Sequence, residues 1–97
     1  MIIKVHKTQE GRVVLSICDK EILGKKFEEG NLQLDLSSSF YAGEESGENK
    51  IRLELRDANI VNIVGEKSVN FCVKLGIVDV KTVGKIKGIP HVQVVLN

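Results

Sequence analysis

An α+β architecture, a mixed β-sheet with helices packed on it, is what this 97-residue sequence predicts. Three observations point to it. Both ends of the chain alternate apolar and polar residues with the period of two that strands show. The clearest helical periodicity lies between them and ends on a glycine. The order strands, helices, strands then lays helices over a sheet instead of alternating them with its strands one by one. Area scaling gives about 5,500 Å² of folded surface against roughly 15,500 Å² for the extended chain, enough for one ordinary core. Residues 1–97 are therefore expected to form a single α+β domain.

The first strand places Ile3 and Val5 on one face, with Lys4 and His6 on the other. Thr8-Gln9-Glu10-Gly11 reads as its hairpin loop, since it is polar and ends on the residue most tolerant of positive φ. Residues 12–18 are apolar on both faces, as a central strand covered twice should be. Asp19 is placed to cap a single helical turn over residues 20–23, stopped by Gly24. Leu32, Leu34 and Leu36 alternate with Gln33 and Asp35 in a further strand, and residues 37–47 read as a serine- and glycine-rich loop. Residues 51–56 alternate strictly, which favours a strand. Yet Ile51, Leu55 and Ala58 also form a helical stripe, and Glu48 stands i,i+4 to Arg52. Asp57 is placed to cap a short apolar segment over 58–64. A helix is expected over about 65–75, with Glu66 in its first turn and Lys74 in its last, both suited to the helix dipole. Strands at 83–87 and 92–96 are expected to flank a turn, Gly88-Ile89-Pro90-His91, built on the only proline in the chain.

Composition narrows the function. The chain is 42% hydrophobic and 28% charged, with a net charge of +1, so a disordered or collagen-like chain is excluded and no overall basicity advertises nucleic acid. Lys4 breaks the apolar start that a secretory signal needs, and no apolar run approaches the ~18 residues of a membrane helix. Two cysteines 54 positions apart read as reduced thiols of a cytoplasmic protein, a single disulfide closing that loop being the alternative. Charge is uneven along the chain. Residues 1–26 carry +3, residues 27–57 carry −5 and residues 58–97 carry +3, with no acid after Asp79.

The motifs are sparse. Gly65-Glu66-Lys67-Ser68 fails as a phosphate loop because position 60 is Ile and not Gly. Cys18, Cys72, His6 and His91 lack the close paired spacing of a structural zinc site, so no metal and no cofactor are expected. Cys18, at the end of a central strand, is a candidate nucleophile with His91 as its base and Asn59 or Asn62 as the orienting group. His91 follows a proline that would hold it firmly, and Gln93 would share its strand face.

Taken in order, several segments resemble the archaeal domain-of-unknown-function family 424 nearly end to end. They are Cys18-Asp19, Leu23-Gly24-Lys25, Phe27, Glu29-Gly30, Phe40-Tyr41 and Gly43, then Asn62, Val64-Gly65-Glu66, Gly76, Val78-Asp79, Pro90-His91 and Gln93. The resemblance implies an archaeal cytosolic protein with an α+β fold, and a helix across residues 48–57 in place of the strand that local alternation favours. The chain departs from the pattern after Val78-Asp79, where the family tends to carry a proline and this sequence has Val80. The family name supplies no reaction. If the motif residues form a ligand site, it lies where Cys18-Asp19, Lys25, Tyr41, Asn62, Glu66, His91 and Gln93 converge.

The leading functional expectation is a non-enzymatic intracellular binding module associated with RNA or a ribonucleoprotein. Its basic ends, Lys25 and Lys26 together with Lys81, Lys85 and Lys87, would meet phosphate. A small enzyme with a Cys18/His91 pocket is the alternative, and a subunit of a protein complex or a homo-oligomer is the third.

Overall fold

The computed structural model describes residues 1–97, with strands β1 (Ile2–Lys7), β2 (Val13–Cys18), β3 (Lys26–Glu29), β4 (Leu32–Asp35), β5 (Glu44–Glu45), β6 (Ile60–Val64), β7 (Gly84–Ile86) and β8 (Ile89–Val95), and helices α1 (Glu48–Asp57) and α2 (Glu66–Lys74). Six strands form one sheet in the order β5-β1-β2-β6-β8-β7, and β3-β4 is a separate hairpin. The β2–β6 pair is parallel and every other pair is antiparallel. The fold is α+β with a mixed sheet. Neither helix is long and apolar enough to cross a membrane.

Strand parity divides the core in two. Leu15, Ile17, Val61, Ile63 and Val92 turn to one face, where Ile51 of α1 and Val69, Phe71 and Cys72 of α2 cover them. On the other face Cys18, Val64 and Ile86 are covered by Leu34 and Leu36, with Ile22, Leu23, Phe27 and Tyr41 around them. The hairpin thus roofs one end of that second face. The other end stays open, and Val95 there is 67% exposed.

Local alternation over residues 51–56 loses to helical periodicity. A strand would turn Ile51, Leu53 and Leu55 to one side, but in α1 Ile51 is fully buried while Leu53 is 57% exposed. Glu48–Arg52 and Lys50–Glu54 pair one turn apart along its outer side. The apolar segment that follows is a strand, β6, and its β-branched residues fit a sheet covered on both sides. The turn expected at residues 88–91 lies earlier. Lys87 and Gly88 both take positive φ, the pattern of a two-residue hairpin turn, and Pro90 and His91 stand inside β8. Cys18 and Cys72 are free, one in each core layer, so the sheet separates them and no disulfide joins them.

Asp19 does not cap the short helical turn that follows it. Its side chain crosses to the start of α2, where Oδ2 accepts from Lys67 N at 3.0 Å and Oδ1 accepts from Ser68 N at 2.8 Å and Ser68 Oγ at 2.6 Å. Gly65, the residue before α2, makes room for it. Its φ is 107°, and a Cβ there would stand 2.3 Å from Asp19 Cγ.

Candidate functional site

A shallow cleft of about 160 Å³ opens on the second face, where the hairpin roof stops. Leu34, Tyr41, Asn62, Val64, His91 and Gln93 line it. The strand registers explain the gathering. Asn62 on β6 stands directly opposite Gln93 on β8, and Val64 stands opposite His91. His91 and Gln93, two apart on one strand, point to the same face. Tyr41 arrives from the loop between β4 and β5.

That loop is held to the sheet by side chains of the first two strands. Lys4 Nζ donates to Ser39 O at 2.7 Å, and Ser16 Oγ donates to Phe40 O at 3.1 Å. His6 Nε2 lies 2.9 Å from the same Phe40 carbonyl, so that nitrogen carries the proton, and its ring stacks on Phe40 at 4.4 Å. The alternation of the first strand puts Lys4 and His6 on one face, and the register adds Ser16 opposite Lys4, but nothing in the sequence reveals that the three clamp a loop.

The four polar residues of the cleft differ from the other polar residues near the sheet. Asn59 Oδ1 accepts from Val13 N at 2.7 Å, and Asp19 is committed to α2. Tyr41 Oη, the Asn62 and Gln93 carboxamides and the His91 imidazole make no hydrogen bond within the protein, and no buried side-chain nitrogen or oxygen is left unpartnered. These groups therefore face solvent with their donors and acceptors free. Burial, and after it the charge of Cys18, pushes the Tyr41 phenol up, so it stays a neutral donor and acceptor at physiological pH. The His91 ring rests against Gly84 on the edge strand, where a Cβ would come within 3.1 Å of its Cε1 and Nε2.

Of the eight residues expected to converge, the structure brings these four together. Glu66 lies on the helix side, in a hollow of about 390 Å³ with Lys85, Val80 and Pro90. Lys25 is exposed at the start of the hairpin and outside the cleft lining. Lys26 pairs with Glu28 at 3.7 Å, whereas Lys81, Lys85 and Lys87 enter no ion pair.

Cys18 is not placed to attack anything. It is fully buried, and Val64 stands between it and His91 in the sheet, two strand spacings or about 9.6 Å in all. A nucleophile and its base need hydrogen-bond reach. The thiol's one partner is the Asp19 carbonyl at 3.4 Å. Burial, with the Asp19 charge second, pushes its pKa up to about 12, and burial alone takes Cys72 to about 12. Both thiols are expected to resist a disulfide reagent in the native protein at about pH 8 and to react at once when it is unfolded. The same shifts fix a sign for alkaline stability. The unfolded thiols ionise from about their ordinary value of 9.0 while the folded ones hold their protons. Stability is thus complete below about pH 9 and falls as pH rises towards 12. Denaturation midpoints measured from neutral to alkaline pH, with Cys72→Ala as a comparison of reduced slope, check this.

A family model described as "Protein of unknown function (DUF424)" matches residues 6–96. The crystal structure of an uncharacterized conserved protein from Methanopyrus kandleri is similar at a TM-score of 0.78 and 28% identity, over 95% of this chain and 87% of that one. No curated protein matches.

Proposed function

The chain belongs to the DUF424 family of proteins of unknown function, and we propose that it is a non-enzymatic binding module associated with RNA or a ribonucleoprotein. One observation carries the reading. Strand β8 forms a wall of the uncharged cleft and belongs to a segment, residues 80–97, that contains no acid, and the three lysines of that segment enter no ion pair. Unpaired cations beside a neutral, hydrogen-bonding surface suit a polyanion that also carries uncharged groups. Lys85 is on the edge strand opposite Pro90, with its side chain on the helix side of that edge, and Lys87 is in the adjoining turn. A backbone following that edge would pass beside the cleft.

A catalytic role gains nothing from the same surface. The cleft holds no thiol, hydroxyl of serine, or carboxylate, and His91 has no hydrogen-bonded acid to orient it. The two thiols, separated by the sheet, suit the reducing conditions of a cytoplasm.

Reversing Lys85 and Lys87 to Glu is expected to weaken binding of a single-stranded RNA octamer about tenfold at low salt. It should also flatten the dependence of affinity on salt by about one unit of slope per lost phosphate contact. Fluorescence anisotropy over a salt series measures both. Unchanged affinity and slope would remove the phosphate role from this edge.

A further inference from the structure

We infer that the cleft on the open sheet face takes one unpaired nucleobase, its edge met by the carboxamides of Asn62 and Gln93 and by the His91 imidazole. The inference rests on the RNA-associated reading above and adds the group recognised and the residues that recognise it.

Size comes first. Pockets that enclose a whole small molecule run to about 300–1,000 Å³, and this one is about 160 Å³. It holds one flat group of a larger ligand. Charge comes second. No ammonium, guanidinium or carboxylate lines the cleft. A phosphate or carboxylate entering it would give up hydration and meet no counter-charge. The group bound is neutral.

Its hydrogen-bonding pattern follows from the residues present. Asn62 and Gln93 stand side by side across β6 and β8, and each carboxamide offers both a donor and an acceptor. His91 adds one more of each when neutral. None of these atoms is used by the fold. A base edge presents donors and acceptors alternating over a few ångströms, and carboxamides match it with paired hydrogen bonds. The apolar atoms of Leu34 and Val64 and the Tyr41 ring supply surface for the face of a base. A side chain at position 84 would crowd the His91 imidazole, so Gly84 leaves room for the ring on this face. A duplex hides base edges in its stack, whereas a single strand can turn a base outward, so the partner is single-stranded.

The test compares fluorescein-labelled octauridylate with an eight-unit abasic ribose-phosphate chain, by anisotropy at fixed salt. The wild-type protein is expected to bind octauridylate at least about tenfold more tightly than the abasic chain, the margin that one stacked and hydrogen-bonded base supplies. Asn62→Ala/Gln93→Ala is expected to erase that margin and to leave abasic binding unchanged. Gln93→Ala alone, at an exposed position, is expected to lose part of the margin with an unaltered denaturation midpoint, which guards against a folding defect in the double variant. Lys85→Glu/Lys87→Glu should weaken both ligands alike. Equal wild-type affinity for the two chains, or a double variant that keeps the margin, overturns base recognition at the cleft and leaves the RNA reading standing. Binding of neither chain overturns the RNA reading and this inference with it.

Discussion

Asp19→Ala is expected to lower the free energy of unfolding by about 3–5 kcal/mol, out of the 5–15 kcal/mol typical of a domain. Three hydrogen bonds end on this one carboxylate, from Lys67 N, Ser68 N and Ser68 Oγ. Bonds to a charged group are worth about 1.5–3 kcal/mol each, and the negative charge also sits at the positive end of the α2 dipole. Removal leaves the Ser68 amide and hydroxyl buried without partners, because Ser68 is fully buried and Asp19 is only 7% exposed. An ordinary exposed helix cap would cost about 1 kcal/mol. The larger figure follows from burial and from long range, since Asp19 ties the end of β2 to the start of α2 across 48 residues. Urea denaturation should show a lower midpoint with an unchanged slope. Asp19→Asn keeps one oxygen for Ser68 and puts an amide nitrogen towards Lys67 or the reverse, so it should fall between the two. In a double-mutant cycle with Ser68→Ala, coupling of about 1 kcal/mol or more is expected. A loss under about 0.5 kcal/mol in Asp19→Ala would mean that water replaces the carboxylate and that the junction is less closed than its geometry indicates.

Asp19 also illustrates which features the sequence made legible. An aspartate after a strand and before a helical turn is a sound cap signal, yet this one caps a helix far along the chain. Local chemistry identified the residue type, and only the parallel β2–β6 pairing decided its partner. The alternating ends gave β1, β2 and β8 for the same reason in reverse, because burial on one face or two is written into each strand separately. Residues 48–57 show where that logic fails. Ile51, Leu53 and Leu55 satisfy a period of two and Ile51, Leu55 and Ala58 a helical one, and the choice rests on which leucine the core leaves out. Hairpin β3-β4 was half legible. Leu32, Leu34 and Leu36 marked its second strand, but its first is Lys-Phe-Glu-Glu, with one apolar residue, and draws its place from pairing with β4.

The candidate site follows the same division. Asn62, His91 and Gln93 stand out in the sequence as residue types, and the spacing of His91 and Gln93 gives their common face even though β8 begins three residues before the strand expected at 92. Parity survives an error in a boundary. Glu66 and Lys25 drew equal notice and lie elsewhere, because motif position carries no information about the side of the sheet. What separates Asn62 from Asn59, three residues away, is whether the fold consumes its hydrogen bonds, and no sequence signal reports that.

Gly43→Ala is expected to produce the second large effect, and its character should differ from that of Asp19→Ala. A Cβ at Gly43 would stand 1.8 Å from Ile3 O, 2.5 Å from Ile3 C and 2.9 Å from Lys4 Cβ. The obstacle is backbone of β1, which is paired on both sides at this point, so it cannot step aside as a flexible side chain would. Overpacking of this kind costs about 1–3 kcal/mol when neighbours can relax. Here the cheaper response is for the chain at Gly43 to leave. Strand β5 contributes only the pairs Ile2–Glu45 and Ile3–Glu44, and its release costs little beyond those bonds and the clamp on Phe40. A loss of about 2–3 kcal/mol is therefore expected, concentrated in one segment. Hydrogen exchange should speed up at Ser46, just after β5, whose amide donates to Met1 O at 2.9 Å, while the amides of β2 and β6 stay protected. Gly47→Ala is the control, since a Cβ there meets nothing within 4 Å. It should cost under about 1 kcal/mol, the scale of a helix-cap change. The consequence for the cleft is specific. Tyr41 is two residues from Gly43 on the clamped loop, so Gly43→Ala should weaken octauridylate binding and spare the abasic chain, although residue 43 lines no part of the cleft. Equal loss for both ligands would instead mean that the loop serves the fold alone and that Asn62, His91 and Gln93 recognise the base without Tyr41.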